Sequence, residues 1–423
     1  SASELRRFAV AGALDESPAL LAALLAAPAT AEGAQAVAAG LECVGSRAVR
    51  DGFGAWEGVL GSDAAQAEFA RRFGSEHLWS PSQLESYALC PFKFFGEQVL
   101  GLRPAPELVL ESDFGRRGVM LHETLAALHR QRAAERDETQ TVADTPEQLA
   151  ALRDELVAEY RQALAALAGR APRTGLDAAL WEIERRQIDS WAEQLSDQEL
   201  SYRGYYADWD VPPEPRYFEA RFGPGSRRSE SAADAELTTD EPYRLQLAQE
   251  QLRLTGQIDR IDVGRVAGRT AFNVIDYKTS AKAAVKPDQV ADGRQLQLPL
   301  YAMAAQELLL AAQDAVAWSA GYWSVQGKGL GKPGNKSGPL QVSARGDSEL
   351  VTDAAWGATQ DRLRERVAEI VAGIRRAEFP VFSADEHCTS YCPLRTTCRI
   401  AHVRSLQKTW HGAAMAEGEE NGE

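Results

Sequence analysis

Two short segments carry the residues best suited to chemistry: Gly256-Gln257-Ile258-Asp259-Arg260-Ile261-Asp262 and, after it, Val274-Ile275-Asp276-Tyr277-Lys278-Thr279. In a strand alternate residues share a face, so Asp276 and Lys278 project to one side while Tyr277 points away and leaves its carbonyl available. If Asp259 on a neighbouring strand faces the same way, two carboxylates and a backbone carbonyl make a hard-oxygen site suited to Mg2+ or Mn2+. An amine beside such a site orients or deprotonates a water, or stabilises charge on a phosphate, a combination that suits phosphodiester hydrolysis. Alone, an acid-x-Lys triplet is more often a solvated strand edge. Asp262 stands three residues from Asp259, faces the other way on a regular strand, and is left out of the site.

The second group is sulfur. Cys388, Cys392 and Cys398 place three thiols within eleven residues, and a fourth is needed to close either a zinc site or an iron-sulfur cluster. With Cys43 and Cys90 the total is five, an odd number spaced poorly for a disulfide framework. Metal is the better use, and spacing alone leaves a zinc site with four thiolate ligands open. Cys43 is expected to be an ordinary buried thiol, and His387 beside Cys388 is a spare ligand candidate. The stretch Gly329-Leu330-Gly331-Lys332-Pro333-Gly334-Asn335-Lys336-Ser337 imitates a phosphate-binding loop. Asn335 separates the glycine from the lysine and Pro333 removes a backbone donor, so no ATP site is expected. With Lys328 these lysines read as a flexible basic loop.

The elements that must position these residues follow from patterning. Ser80-Pro81-Ser82-Gln83-Leu84-Glu85 offers an N-cap serine, a proline in the first turn and an acid near the positive helix end, so a helix starts there. A second helix is expected from Gly118 through His122 to Arg130, and helical segments over 146–200 form an insertion of about 135–205. Strand-like runs follow at Arg216–Phe222, Tyr243–Leu247, Leu252–Val263 and Thr270–Tyr277, the last two forming a hairpin through Gly264–Gly268. The loop Gly223–Glu241 has no periodicity. Helix returns at Gln295–Leu310, a strand at Ala317–Val325 and a long amphipathic helix at Ala354–Ala377. Helices, then strands, then helices favour an α/β domain with a small mixed sheet flanked by helices.

Composition bounds the class. The chain has 423 residues, 44% hydrophobic and 25% charged, which matches an ordinary globular protein and argues against a disordered, collagen-like or disulfide-scaffold chain. With 46 basic and 61 acidic residues the net charge is -15, which argues against indiscriminate polyanion binding over the whole surface and leaves room for a locally basic groove. No apolar run is long enough for a membrane span, and the Ala-rich start has no signal-peptide layout, so a cytoplasmic protein is expected. Residues 1–75 read as helical packing material. Residues 404–423 read as an acidic, disordered tail.

Taken in order, these motifs resemble the RecB-like branch of the PD-(D/E)xK nuclease superfamily, and most closely the C-terminal nuclease domain of AddB-type helicase-nuclease subunits. The resemblance runs over about 76–403. It is carried by the Ser80–Glu85 opening with Cys90-Pro91-Phe92, the helix of His122, Gly256–Asp262, Asp276-Tyr277-Lys278-Thr279, Gln297-Leu298-Pro299-Leu300-Tyr301 and the terminal cysteines. It implies a restriction-endonuclease-like core with the helical insertion and a C-terminal iron-sulfur staple. His122 becomes a metal ligand beside Asp259, Asp276 and the Tyr277 carbonyl. Its helix neighbour His129, seven residues on, is set aside by family position. Gln297 and Tyr301, spaced i, i+4, fall at the substrate edge, with packing an equal alternative for Tyr301. Glu219 is at most an auxiliary acid. Cys90 supplies the fourth ligand, with Cys388, Cys392 and Cys398, of a 4Fe-4S cluster. The implied activity is Mg2+- or Mn2+-dependent cleavage of DNA, as an exonuclease processing ends in double-strand-break repair beside a helicase-nuclease partner subunit. Residues 1–75 would then be the remnant of an upstream helicase-like region. The rival readings are an inactive DNA-binding or scaffold module and a stand-alone iron-sulfur exonuclease.

Overall fold

The strand Arg269–Lys278 is buried without a break from Ala271 to Tyr277. A strand with one wet face alternates, so an unbroken run demands cover on both faces and a neighbour on each edge. The computed structural model supplies both. It describes residues 2–410 apart from 16, 29–30, 51, 104–113, 136–144, 166–174, 225–235, 281–282, 336–337 and 347–348. Of the expected disordered tail 404–423, residues 404–410 are placed, with a helix running to Ser405 and Lys408 buried, whereas its part from 411 on, Lys336 of the basic loop, most of the Gly223–Glu241 loop and parts of the insertion lie outside the described residues.

In chain order the helices are α1 (Ala2–Leu14), α2 (Ala19–Ala26), α3 (Ala31–Ala48), α4 (Asp63–Arg72), α5 (Pro81–Leu89), α6 (Pro91–Phe94), α7 (Phe114–Glu135), α8 (Pro146–Ala165), α9 (Leu176–Tyr205), α10 (Pro287–Ala291), α11 (Gln297–Ala304), α12 (Ala354–Arg375) and α13 (Ile400–Ser405). The strands are β1 (Leu78–Trp79), β2 (Val211–Phe222), β3 (Tyr243–Gln246), β4 (Gln251–Leu254), β5 (Gly256–Val266), β6 (Arg269–Lys278), β7 (Val316–Ser324), β8 (Leu340–Gln341), β9 (Ser343–Arg345) and β10 (Leu350–Thr352). They divide between two units, one of Arg72–Leu89 with Gly101–Ala372, the other of Ser1–Arg71, Cys90–Leu100 and Gly373–Glu423.

The first unit is built on a five-stranded mixed sheet of order β2-β5-β6-β7-β8. β2, β5 and β6 are antiparallel, β6 and β7 parallel, and β8 antiparallel to β7. The β5–β6 hairpin closes on Ala267 and Gly268, whose φ values of 50° and 72° suit the tight turn that matches strand twist. The parallel step from β6 to β7 needs a crossover, and α11 within it packs on both strands. On the opposite face, Leu121, Leu125 and Leu128 of α7, Leu156, Tyr160 and Leu164 of α8, and Ile188, Leu195 and Tyr202 of α9 close over Ile275, Tyr277 and Trp323. The expected mixed sheet between helices is thus present, and the insertion helices form one of its covers.

One expected strand is two. Leu252–Val263 breaks at Thr255, whose N–H donates to the Trp79 carbonyl at 2.8 Å and whose hydroxyl donates to the Phe222 carbonyl at 2.9 Å. Upstream of this break β4 belongs to a separate sheet of order β1-β4-β3, and downstream β5 joins the main one. The Gln295–Leu310 helix is also shorter than expected, since α11 gives way to a π-turn at Ala305–Leu309. In the second unit, Phe379 packs against Phe69, Phe94 and Phe95, and buried Lys408 pairs with Glu57 at 2.7 Å. Cys43, expected to be buried, is half-buried on α3. Among the described residues no helix is long and apolar enough to cross a membrane.

Charge is buried where α7, α8 and α9 meet the sheet. Arg260, fully buried, pairs with Asp262 at 2.6 Å and Glu199 at 2.5 Å, and its guanidinium lies 4.8 Å from the centre of the Trp323 ring. Asp262 therefore faces away from Asp259, as strand alternation requires. Removing one partner of such a set strands a buried charge, at about 3–5 kcal/mol. His129 joins the set through Nε2, 3.3 Å from the Tyr277 hydroxyl, 3.4 Å from that of Tyr160 and 3.5 Å from Arg260. Burial, with Arg260 adding, pushes its pKa from 6.5 down to about 3. An unfolded histidine takes up a proton as pH falls through 6.5 and the folded one resists until near 3, so stability is lost on the acid side of 6.5. Urea unfolding at pH 7 and pH 5 should show wild type losing about 2 kcal/mol more than His129→Gln between the two. Equal losses in both proteins would show that His129 is not held neutral.

Candidate active site

Three adjacent strands each present one acid to the same place. Arg260 pairs with Ile275 across β5 and β6, and continuing that register by one residue sets Asp259 beside Asp276. Across β2 and β5, Phe218 pairs with Arg260 and Ala220 with Ile258, which sets Glu219 opposite Asp259 on the other side. Directly opposed residues point to one face, so Glu219, Asp259 and Asp276 form a row. His122 on α7 brings Nδ1 to 3.3 Å from Asp259 Oδ2, which also accepts the Tyr277 N–H at 2.9 Å. Asp276 Oδ1 accepts Gln297 Nε2 at 2.7 Å, and Oδ2 lies 2.6 Å from Lys278 Nζ. Lys278 is 40% exposed while its partner Asp276 is 4% exposed, so the ammonium stands at the mouth of the site. Its Nζ lies 5.2 Å from the centre of the Tyr322 ring, a neighbour that the motif reading did not single out.

Glu219 is drawn in more closely than its sequence reading as an auxiliary acid suggested. One ligand atom from each of His122, Glu219 and Asp259 lies within 4.8 Å of the others. Glu219 holds φ at 55°, a left-handed conformation costing about 1–3 kcal/mol for a residue with a side chain. Gln257 donates to its Oε2, and Oε1 is buried with no hydrogen-bond partner among the described residues. A buried carboxylate with one orphaned oxygen, close to an imidazole and a second carboxylate, is what a divalent cation would satisfy. The signal available in sequence was an acid inside the strand-like, mostly apolar run Tyr217–Phe222, whose other charged residue is Arg221.

The electrostatics agree with that shortage of positive charge. Burial, then Asp259, raises Glu219 to about 7. Burial, then Asp259, raises Asp276 to about 6, with Lys278 acting against both. Burial opposes charge on Asp259 most strongly, but His122, the Tyr277 N–H and Lys278 together hold that carboxyl low. For His122 itself burial disfavours the imidazolium, and Asp259 overcomes this to lift it to about 9. The acids thus hold the His122 imidazole positive.

Of the remaining candidates, His129 is taken up by the Arg260 set and reaches none of these acids, which leaves His122 as the histidine of the site. Tyr301, expected at the substrate edge, is 6% exposed. Its ring meets Phe222 edge-on at 5.9 Å and its hydroxyl accepts the Gln257 N–H at 3.4 Å. Gly256 allows this: a Cβ there would lie 2.6 Å from the Tyr301 ring. Tyr301 therefore packs the start of β5. Glu85, expected to serve its own helix, does not. Ser80 and Gln83 cap α5 reciprocally, at 3.3 and 3.1 Å, and Glu85 Oε1 instead accepts the N–H groups of Leu296 at 2.6 Å and Gln297 at 2.8 Å.

The four motif cysteines fall together in the second unit. Burial pushes the Cys90 thiol up to about 12, with Cys392, Cys388 and Cys398 each adding to the rise, so the four sulfurs lie within electrostatic reach of one another. Cys90 Sγ accepts the Lys93 N–H at 3.4 Å, and Cys388 Sγ accepts Arg404 Nη2 at 3.2 Å. His387 is joined through its backbone N–H to Asp385 at 2.8 Å.

Comparison with known proteins bears on the whole arrangement. Among curated proteins nothing matches the chain. A family model does: that of the PD-(D/E)XK nuclease superfamily, over residues 78–399, a span that contains the acid row, Lys278, His122 and all four clustered cysteines. The chain belongs to the PD-(D/E)XK nuclease superfamily.

Proposed function

We propose that this protein hydrolyses phosphodiester bonds in DNA with a divalent cation, Mg2+ or Mn2+, held by His122, Glu219 and Asp259 beside Asp276 and the Tyr277 carbonyl. The observation that carries this reading is the acid row across β2, β5 and β6, with an imidazole at one side and an ammonium at the other. When bound, the cation supplies Lewis-acid polarisation of the phosphate and a more acidic water. The chain's own groups do the rest. Tyr277 N–H and His122 fix the Asp259 carboxylate. Gln297 fixes that of Asp276, so its second oxygen faces Lys278. The half-buried Lys278 ammonium orients the attacking water or neutralises charge on the phosphate.

The finer reading rests on the order of motifs from Ser80 to Cys398. It is that of a RecB-like exonuclease domain processing DNA ends in double-strand-break repair beside a helicase-nuclease subunit in the cytoplasm. Cys90, Cys388, Cys392 and Cys398 then hold a 4Fe-4S cluster. The donor set suits it: four thiols within electrostatic reach of one another, one of them hydrogen-bonded by Arg404. Closing a loop of that length stabilises the unit that contains all four.

Purified Asp276→Ala and Lys278→Ala should each cut end-labelled single-stranded DNA more slowly by on the order of 10²–10⁴-fold, with unchanged thermal midpoints, and chelator should stop the wild type. Wild-type rates in both variants would refute the site. Glu219→Gln should weaken Mn2+ binding by calorimetry by at least ~10-fold; equal affinity would remove Glu219 from the ligand set. Cys392→Ser, purified anaerobically, should lose iron, sulfide and visible absorbance. A wild type that carries zinc and no iron would replace the cluster with a zinc site.

A further inference from the structure

We infer that Glu85 is a positioning residue for the proposed nuclease reaction: from α5 it caps α11 and so sets where Gln297 meets Asp276. This rests on the nuclease reading of the site. A helix begins with N–H groups that no turn of its own can satisfy. α11 begins poorly equipped for them, because its N-cap is Leu296, which has no side-chain acceptor. Glu85 provides one from 211 residues away, accepting from both Leu296 and Gln297. A carboxylate there also faces the positive end of the helix dipole. The same Gln297 whose backbone is held in this way donates its side-chain amide to Asp276 Oδ1.

The chain of contacts is therefore Glu85 to the backbone of Gln297, its amide to Asp276, and Asp276 to Lys278. Both ends are rigid. Leu84 and Tyr87 bury α5, and Leu298, Leu300 and Tyr301 bury α11. Loss of the cap should thus shift the start of α11 while the helix stays packed, and a shift of that kind loosens the hold on one carboxylate oxygen. Catalytic groups held by such supporting contacts lose rate when the support is removed.

The test compares Glu85→Ala, Glu85→Gln, Gln297→Ala and the double variant Glu85→Ala/Gln297→Ala, with kcat and KM for end-labelled single-stranded DNA in Mg2+. Glu85→Ala should lower kcat about 10–100-fold with KM little changed, and Glu85→Gln, which keeps an acceptor oxygen, should recover most of the loss. The double variant should be no slower than Gln297→Ala alone, because both changes break one chain of contacts. Wild-type kcat in Glu85→Ala, or losses that multiply in the double variant, would overturn the inference while leaving the nuclease reading intact. A wild type that cuts no DNA would instead fail the nuclease reading. The placement of Gln297 is then read without catalysis from its side-chain amide NMR signals, which should move in Glu85→Ala and stay in Glu85→Gln. Signals unmoved in Glu85→Ala overturn the inference whatever the activity.

Discussion

Like charges held close together in a poorly hydrated place are costly, and this fold brings three carboxylates into one row on adjacent strands. Almost every unusual feature nearby answers that repulsion. His122 is held protonated by Asp259, Lys278 leans back onto Asp276, and the Tyr277 N–H donates to Asp259. Even so, Glu219 and Asp276 remain reluctant to ionise, and one oxygen of Glu219 has no partner among the described residues. The left-handed backbone at Glu219 is a further cost borne at the same spot, and strain of this kind persists only where the surrounding structure enforces it.

The opposite face of the same strands solves a different problem with the same residue types. There Arg260, Asp262 and Glu199 are buried but mutually satisfied, with His129 held neutral beside them, so these groups are structural. The two faces differ in balance: a guanidinium sits between two carboxylates on one, whereas three carboxylates share an imidazole and an ammonium on the other. Strand alternation keeps them apart, with Asp259 and Arg260 consecutive in sequence yet committed to different networks.

How much of this was readable before the structure depends on the range of each interaction. Asp276 and Lys278 declare themselves because a two-residue spacing fixes their common face. The hairpin that sets Asp259 beside Asp276 was legible from Gly264 to Gly268, as were the cover helices around a mixed sheet. The place of Glu219 depends on the β2–β5 register and on one positive φ, neither of which a pattern of side chains encodes. Proximity in sequence points Glu85 to its own helix, whereas the N–H groups it meets are those of Leu296 and Gln297 at the start of α11, which is brought near only by packing. Tyr301 shows the reverse case. Its i, i+4 spacing with Gln297 put both on one side of α11, but spacing cannot say that Gly256 opens a pocket which takes the ring inside.

Tyr277 is where the two faces are joined. Its N–H holds Asp259, while its hydroxyl lies 2.9 Å from Arg260 Nη1 and 3.3 Å from His129 Nε2. Glu199, which completes the Arg260 set, comes from α9 of the helical insertion, and His129 lies two turns beyond His122 on α7. A displacement of the insertion helices would therefore reach the site by two rigid routes, through the Tyr277 backbone to Asp259 and along α7 to His122. Both routes end on the same carboxylate, so the geometry around Asp259 is set jointly by the sheet and by its helical cover. This explains why a cluster of charges lies buried behind the site where apolar packing alone would stabilise as well: hydrogen bonds with fixed directions specify where Tyr277 and α7 must lie, which a greasy contact leaves free to slide.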